Sequence, residues 1–162
     1  MIERTLVLFK ADAVQRGVVG EILSRFEKVG LKLIGMKMVW VDKDFAAKHY
    51  FDVKERYGER IFLNLADYLT EGPVVAIALE GVQAVSQVRK MAGSTYPNEA
   101  LPGTIRGDYS HISKAHANKN EVKVGNLVHS SANAEEASQE LRLWFSIEEL
   151  HEYETGHEKH LR

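Results

Sequence analysis

Two continuous apolar runs of strand length constrain the fold of this chain more than any other feature. The first is 5–9 and the second is 74–79. A strand whose residues are all apolar, rather than alternately apolar and polar, is typical of a strand covered on both faces. We therefore expect a sheet with helices packed against it.

Helical and strand-like segments alternate between and around these runs. The spacing of apolar residues predicts helices at 19–29, around 61–69, at 81–91 and at 134–145, and further strands at 31–41 and 121–128. Residues 94–110 read as a long irregular loop, and 111–120 as a polar segment without a pattern. This order predicts an α+β fold, a ferredoxin-like split βαβ sandwich whose four-stranded antiparallel sheet is surrounded by helices.

Size and composition predict one globular domain. The chain has 162 residues, and we expect a single domain over 1–153 followed by a charged C-terminal tail at 154–162. Its 21 basic and 23 acidic residues give a net charge of −2, so any phosphate must be bound by a local cluster. The lack of cysteine excludes thiolate catalysis. We expect a cytoplasmic protein with no membrane or nucleic-acid partner.

Candidate catalytic residues surround His129. Asn126 and Ser131 flank it as hydrogen-bonding neighbours, and neutral imidazole is a nucleophile at physiological pH. Glu140 falls at the margin of the buried face of the last predicted helix, where a carboxylate could orient His129. The alternative is that Glu140 belongs to the solvated flank of an amphipathic helix.

Side chains must hold any phosphate, because the sequence contains neither a P-loop nor a dinucleotide-binding glycine motif. The candidates are Lys10, Arg89 and Arg106, with Thr95 at the start of the irregular loop. Lys10 directly follows a buried strand, a position where ligands commonly bind, whereas most lysines and arginines are solvated surface charges. Candidates for an apolar contact to a base are Tyr50, Ile61 and Leu65, which could equally belong to the core or to an interface.

Four motifs in order along the chain resemble the nucleoside diphosphate kinase family. Residues 10–17, KADAVQRG, are similar to the family's KPDGVQRG. The other three are GPVV at 72–75, PGTIRGD at 102–108 and N-x-x-H-x-S at 126–131. The resemblance extends from Arg4 to about Tyr153.

This resemblance implies a ping-pong phosphotransfer from a nucleoside triphosphate to a nucleoside diphosphate. His129 matches the residue that is phosphorylated, and Glu140 and Ser131 match the groups that orient it. Positions that match contacts to phosphates and ribose are Lys10, Tyr50, Arg89, Thr95, Arg106 and Asn126, and Leu65 matches an apolar contact to the base. The family further implies Mg²⁺ bridging the nucleotide phosphates without dedicated protein ligands, and a homo-oligomer, commonly a hexamer, with a tetramer or dimer as alternatives.

The chain departs from the family pattern at several positions. Ala11 and Ala13 stand for Pro and Gly, Ile61 stands for a base-stacking Phe, and Ala132 and Asn133 stand for Asp and Ser. We expect a looser turn after Lys10 and a weaker base contact, or one supplied by Phe62. The segment after Asp108 is roughly ten residues longer than in the common form.

Two other classes of function compete with the enzyme. A nucleotide-sensing or scaffolding protein would keep the pocket without turnover, but such a protein has no need of a nucleophile. RNA binding on the sheet is disfavoured by the near-neutral charge. If His129 is the nucleophile, its phosphorylation should slow in acid, before about pH 5, as the imidazole gains a proton.

Overall fold

The computed structural model describes residues 1–160 and confirms the predicted sheet. Its strands are β1 (Ile2–Phe9), β2 (Lys32–Val39), β3 (Val74–Val82) and β4 (Val128–Ser130). They lie in the order β2-β3-β1-β4, and each neighbouring pair is antiparallel. This order is the ferredoxin-like arrangement expected from the alternation of strands and helices.

Helices cover both faces of the sheet. In chain order they are α1 (Ala11–Gln15), α2 (Val19–Lys28), α3 (Lys43–His49), α4 (Val53–Tyr57), α5 (Glu59–Thr70), α6 (Ala84–Ala92), α7 (Ile105–Tyr109), α8 (Lys114–Lys119) and α9 (Ala134–Trp144). Apolar residues of α2 and α6 pack in one core cluster, and those of α3, α5 and α9 pack in a second. The sheet therefore lies between two helical layers, as its apolar strands require.

The apolar run in β1 is buried on both faces. Leu6 and Leu8 belong to one core cluster, Val7 and Phe9 to the other, and all four are 0% exposed. Alternate side chains of a strand point to opposite faces, so both layers contribute to holding β1. Because β1 is central and rigidly packed, it fixes the position of Lys10, the residue directly after it.

The predicted fourth strand at 121–128 is wrong in its bounds. The structure has a short β4 that pairs with the end of β1 and contains His129, which lies opposite Leu8. Glu121 and Leu127 have positive φ angles of 53° and 69°, which an extended strand does not allow. The backbone of this segment instead forms hydrogen bonds that are not part of the strand pairing. For example, the Lys10 N–H donates to the Leu127 carbonyl oxygen at 2.8 Å.

The segments predicted as a loop at 94–110 and as unpatterned at 111–120 contain short helices. A 3-10 turn covers Pro97–Glu99, and α7 and α8 follow it. Thr104 and Ser113 cap these two helices by accepting hydrogen bonds from the Gly107 and His116 N–H groups. Helices of five or six residues are too short to show an apolar period, so only their capping residues could have predicted them.

The C-terminal segment runs beside β2. The Tyr153 hydroxyl donates to the Leu33 carbonyl oxygen at 2.5 Å, and Glu158 forms an ion pair with Lys32 at 3.0 Å. The end of the predicted charged tail, Leu161 and Arg162, lies outside the described residues. Within 1–160, none of the helices is both long enough and apolar enough to cross a membrane.

Candidate active site

A cleft of about 660 Å³ opens where the ends of β1 and β4 meet α3, α4 and α9. Nearly all residues singled out from the sequence line it: Lys10, Tyr50, Leu65, Arg89, Thr95, Arg106, Asn126, His129 and Glu140. Ser131 lies directly behind the cleft and is fully buried. Residues far apart in sequence are thus brought together at one end of the sheet.

Glu140 holds His129 in one orientation. The Nε2 atom of His129 lies 2.6 Å from Oε1 of Glu140, in a pair that is only 17% and 8% exposed. A carboxylate accepts hydrogen bonds and does not donate them, so the hydrogen of the neutral ring is on Nε2. The lone pair is therefore on Nδ1, which is the atom available for nucleophilic attack.

Ser131 in turn holds Glu140. Its Oγ–H donates to Oε2 of Glu140 at 2.6 Å, so the two carboxylate oxygens have different partners. Burial raises the pKa of Glu140 above its usual range, while His49 and the Ser131 hydrogen bond act in the opposite direction. The strand β4 and the helix α9 thereby supply a connected chain from Ser131 through Glu140 to His129.

Cations surround the imidazole and keep it neutral. Burial lowers the pKa of His129 to about 3, and the positive charges of Lys10, Arg106 and Arg89 add to this effect. Burial likewise lowers the pKa of Lys10 to about 7, with Arg106 as the second cause. An anionic ligand would relieve the repulsion among these cations, which makes the cleft suitable for phosphates.

The backbone fixes the positions of Arg106 and Asn126. The guanidinium of Arg106 donates to three carbonyl oxygens, those of Gly93, Asn126 and Val128, at 2.8, 3.2 and 2.7 Å. The Asn126 side chain accepts from Lys10 Nζ at 2.7 Å and donates to the Thr95 carbonyl oxygen at 3.0 Å. The side chains of Lys10, Asn126 and Arg106 are therefore already ordered, by a hydrogen bond between the first two and by bonds to the backbone.

This chain matches the nucleoside diphosphate kinase family model over residues 3–150. The chain belongs to the nucleoside diphosphate kinase family. It is 50% identical to the nucleoside diphosphate kinase of Pyrococcus furiosus over 153 residues, which cover 94% of this chain and 88% of that protein. Its activity is accordingly that of a nucleoside diphosphate kinase, a phosphotransferase.

Solved structures of the family have the same fold. A nucleoside diphosphate kinase from Borrelia burgdorferi, a transition-state mimic with bound vanadate and ADP, superimposes with a TM-score of 0.94 at 38% identity, covering 98% of this chain and 96% of that one. A halophilic enzyme from Halobacterium salinarum in complex with CDP gives a TM-score of 0.85 at 35% identity and covers 100% and 99% of the two chains.

Ile61 is the one predicted contact residue that this kinase does not place in the cleft. It lies on the first turn of α5, is 41% exposed, and is absent from the cleft lining, whereas Leu65 one turn later lines it. The apolar lip contains Val53 and Tyr57 from α4 instead. Phe62, the alternative base contact, packs against the core cluster. Gly58, between α4 and α5, has a φ of +88°, a conformation that favours glycine.

The alanines after Lys10 do not prevent an ordered turn. Residues 11–15 form α1, and Ala11 and Ala13 are both 0% exposed. Asp12 of the same helix was missed as a site residue. Its Oδ2 accepts the Leu127 N–H at 3.1 Å and so supports the strained residue two positions before His129. Its place just past a buried strand, beside Lys10, was the available signal.

His49 was also missed, although the cleft includes it. Donor atoms of His49, His129 and Glu140 lie within 4.8 Å of one another. The His129 and Glu140 atoms are 2.6 Å apart, which is shorter than the distance of about 3.3 Å between two ligands of a tetrahedral ion. This cluster is therefore hydrogen-bonded rather than arranged around a metal. Asp52 and Glu136 also line the cleft.

The structure changes the acid dependence expected from the sequence. An imidazole of ordinary pKa would be about three-quarters protonated at pH 6 and would react about fourfold more slowly. Because the pKa of His129 is lowered to about 3, we expect less than a twofold change in its phosphorylation rate between about pH 8 and about pH 6. Rapid-quench uptake of label, with circular dichroism at each pH to verify folding, measures this. A fourfold fall in a chain that stays folded would contradict it.

Acid instead acts on the fold of this kinase. The pKa values of His49 and His129 are lowered to about 3 in the folded chain, so the unfolded chain takes up their protons first. Their contribution to stability is complete above the ordinary histidine pKa of about 6.5 and is lost as the pH falls below it. The loss reaches about 1.4 kcal/mol per pH unit for each histidine.

Proposed function

We propose that this chain transfers the γ-phosphoryl group of a nucleoside triphosphate to a nucleoside diphosphate through a phosphohistidine at Nδ1 of His129. The observation that carries the proposal is the 2.6 Å contact between His129 Nε2 and Glu140, in a cleft whose lining includes Lys10, Arg89 and Arg106. The contact leaves a lone pair on Nδ1, and the cations suit a chain of phosphates.

The transfer has two symmetrical steps. In the first, the Nδ1 lone pair of His129 forms a bond to the γ-phosphorus while the bond to the β,γ-bridging oxygen breaks, and the nucleoside diphosphate leaves with that electron pair. In the second, a β-phosphate oxygen of another diphosphate attacks the phosphohistidine, and the electron pair of the N–P bond returns to Nδ1. Glu140 stabilises the positive charge that the ring carries between the two steps.

The remaining residues position the nucleotide. Lys10, Arg89 and Arg106 would contact phosphate oxygens, with Arg106 held rigidly by its three carbonyl partners. Thr95, Tyr50 and Asn126 would contact phosphate or ribose hydroxyls. A phosphate-bound Mg²⁺ would supply further charge neutralisation, with Asp52 and Glu136 as acceptors for its water ligands.

Tyr57 is our proposal for the base contact in place of Ile61. Tyr57 is 55% exposed on the cleft lip, and its hydroxyl is held by Arg56 at 3.2 Å. We expect Tyr57→Ala to raise the KM for nucleoside diphosphates about three- to tenfold with little change in kcat, because an aromatic stacking contact contributes about 0.5–1.5 kcal/mol. Steady-state kinetics measures this, and Ile61→Ala is the matched control. A larger KM increase for Ile61→Ala would restore the interpretation from sequence.

The test of the function is uptake of label from γ-labelled ATP and Mg²⁺ in the absence of an acceptor. We expect label that survives alkali, is lost in acid and is discharged by a second nucleoside diphosphate. If the chain binds nucleotide but takes up no label, the sensing or scaffolding alternative replaces the enzyme.

We further propose that the chain forms a homo-oligomer. Three large apolar side chains are exposed on and just after the edge strand β2, at Met36, Met38 and Trp40, with exposures of 50%, 58% and 69%. An edge strand with an exposed apolar row favours association. The choice among hexamer, tetramer and dimer, the cytoplasmic location and the lack of a nucleic-acid partner remain predictions.

A further inference from the structure

His49 is a buried histidine beside the reacting pair that the mechanism above does not use. It ends α3, and its side chain is 0% exposed. Its ring meets the His129 ring edge to face, with the centroids 4.7 Å apart. Its Nδ1 atom lies 3.6 Å from Oε1 of Glu140, the same oxygen that accepts from His129. A protonated His49 would therefore compete with His129 for that oxygen.

Trp144 decides which nitrogen of His49 carries hydrogen. Its indole Nε1–H lies 3.2 Å from Nδ1 of His49. An indole N–H only donates, so Nδ1 must present its lone pair and the hydrogen of the neutral ring must be on Nε2. That Nε2 is buried and has no hydrogen-bond partner among residues 1–160. Within residues 1–160, the hydrogen bond from the Trp144 indole is therefore what selects the tautomer of His49.

We propose that Trp144 and His49 form a positioning pair that reserves Glu140 for His129. By occupying Nδ1 of His49, the indole N–H keeps this ring neutral and prevents an ion pair between His49 and Oε1 of Glu140. Glu140 then keeps its hydrogen bond to His129, and the His129 lone pair stays on Nδ1. The inference rests on the proposed role of His129 as the phosphorylated residue.

The groups that face His49 support its neutral form. Lys10 at the end of β1 and His129 on β4 oppose a positive charge there, whereas Glu140 on α9 favours one. Tyr50, the next residue, contributes no charge because burial raises its pKa. Burial is the largest influence, followed by His129, and the pKa of His49 is lowered to about 3. Glu140 favours a positive charge on His49, and the hydrogen bond from Trp144 prevents these two residues from forming an ion pair.

Trp144→Phe tests the pair, because it removes the indole donor and keeps most of the apolar volume. We expect the pH at which the rate of His129 phosphorylation is half lost to rise by about one unit, which corresponds to the loss of one hydrogen bond to the neutral ring. Adding His49→Gln to the Trp144→Phe chain should return the half-loss to its original pH, since glutamine does not titrate. Rates are compared only at pH values where circular dichroism shows a folded chain, and the half-loss pH is obtained by fitting the decline in rate within that range.

Phe145→Leu is the matched control. It removes part of a buried aromatic side chain at the end of α9, and Phe145 makes no contact with Glu140 in the hydrogen-bond network described above. We expect an unchanged half-loss pH. An unchanged half-loss pH in Trp144→Phe overturns the inference, and so does an equal shift in Phe145→Leu.

Nitrogen NMR of the unaltered chain, labelled with ¹⁵N-histidine, provides a test that needs no variant to fold. We expect the Nε2–H tautomer of His49 and no titration of its ring above about pH 5. An Nδ1–H tautomer, or titration near the ordinary histidine pKa, overturns the inference. If His129→Ala still takes up label, the proposed function fails instead, whatever the pH profiles show.

Discussion

Replacing His129 with alanine is expected to abolish uptake of label from a nucleoside triphosphate and to lower kcat by roughly 10⁴-fold or more, as for the loss of other enzymatic nucleophiles. His129 carries the available nucleophilic nitrogen of the cleft, since the neighbouring His49 accepts at Nδ1 from Trp144 and is fully buried. Nucleotide binding should persist, because Lys10, Arg89 and Arg106 remain in place.

The measurement for His129→Ala is label uptake with a parallel binding assay for a nucleoside diphosphate. His116→Ala is the matched control, because His116 is an exposed histidine on α8 outside the cleft. Label that persists in His129→Ala and survives alkali would assign the phosphorylated residue elsewhere. Loss of label together with loss of nucleotide binding would show instead that the cleft had collapsed.

Glu140→Gln is expected to lower kcat by about 10²- to 10⁴-fold while changing the KM for nucleotide little, as happens when a carboxylate that orients a catalytic histidine becomes an amide. The amide has the same shape but lacks the negative charge that stabilises the phosphorylated ring. If its NH₂ group faces His129, Nε2 must accept and the hydrogen moves to Nδ1, so the nucleophile is lost. Ser131 now donates to Oε2 of Glu140, which favours the orientation that places the amide oxygen there. Because a hydroxyl can also accept, Ser131 permits the opposite orientation of the amide as well.

Rapid-quench kinetics separates the two effects of Glu140→Gln, because the rate of phosphorylation falls while the affinity for nucleotide is retained. Glu148→Gln is the control, since Glu148 is an exposed carboxylate beyond the end of α9. A rise in KM with an unchanged kcat would mean that Glu140 acts on binding rather than on the orientation of His129.

Most residues that the sequence singled out lie together, whereas several segments between them differ from the prediction. Nine of the residues singled out line one cleft, at the end of the sheet where β1 and β4 meet the surrounding helices. Ile61 lies outside that cleft, on the first turn of α5 after Gly58, where φ is +88°. His49 was missed because a lone histidine in a short helix has no periodic or motif signal.

The amino-acid sequence by itself determined the central sheet and singled out the proposed reacting residue. Continuous apolar runs are typical of strands covered on both faces, and N-x-x-H-x-S together with three other motifs indicated His129. The tertiary structure alone decided the protonation states of the site. The pKa of His129 depends on burial and on cations that follow β1 or lie in α6 and α7, and the tautomer of His49 depends on an indole 95 residues away. Such long-range desolvation and hydrogen bonding leave no local pattern in a sequence.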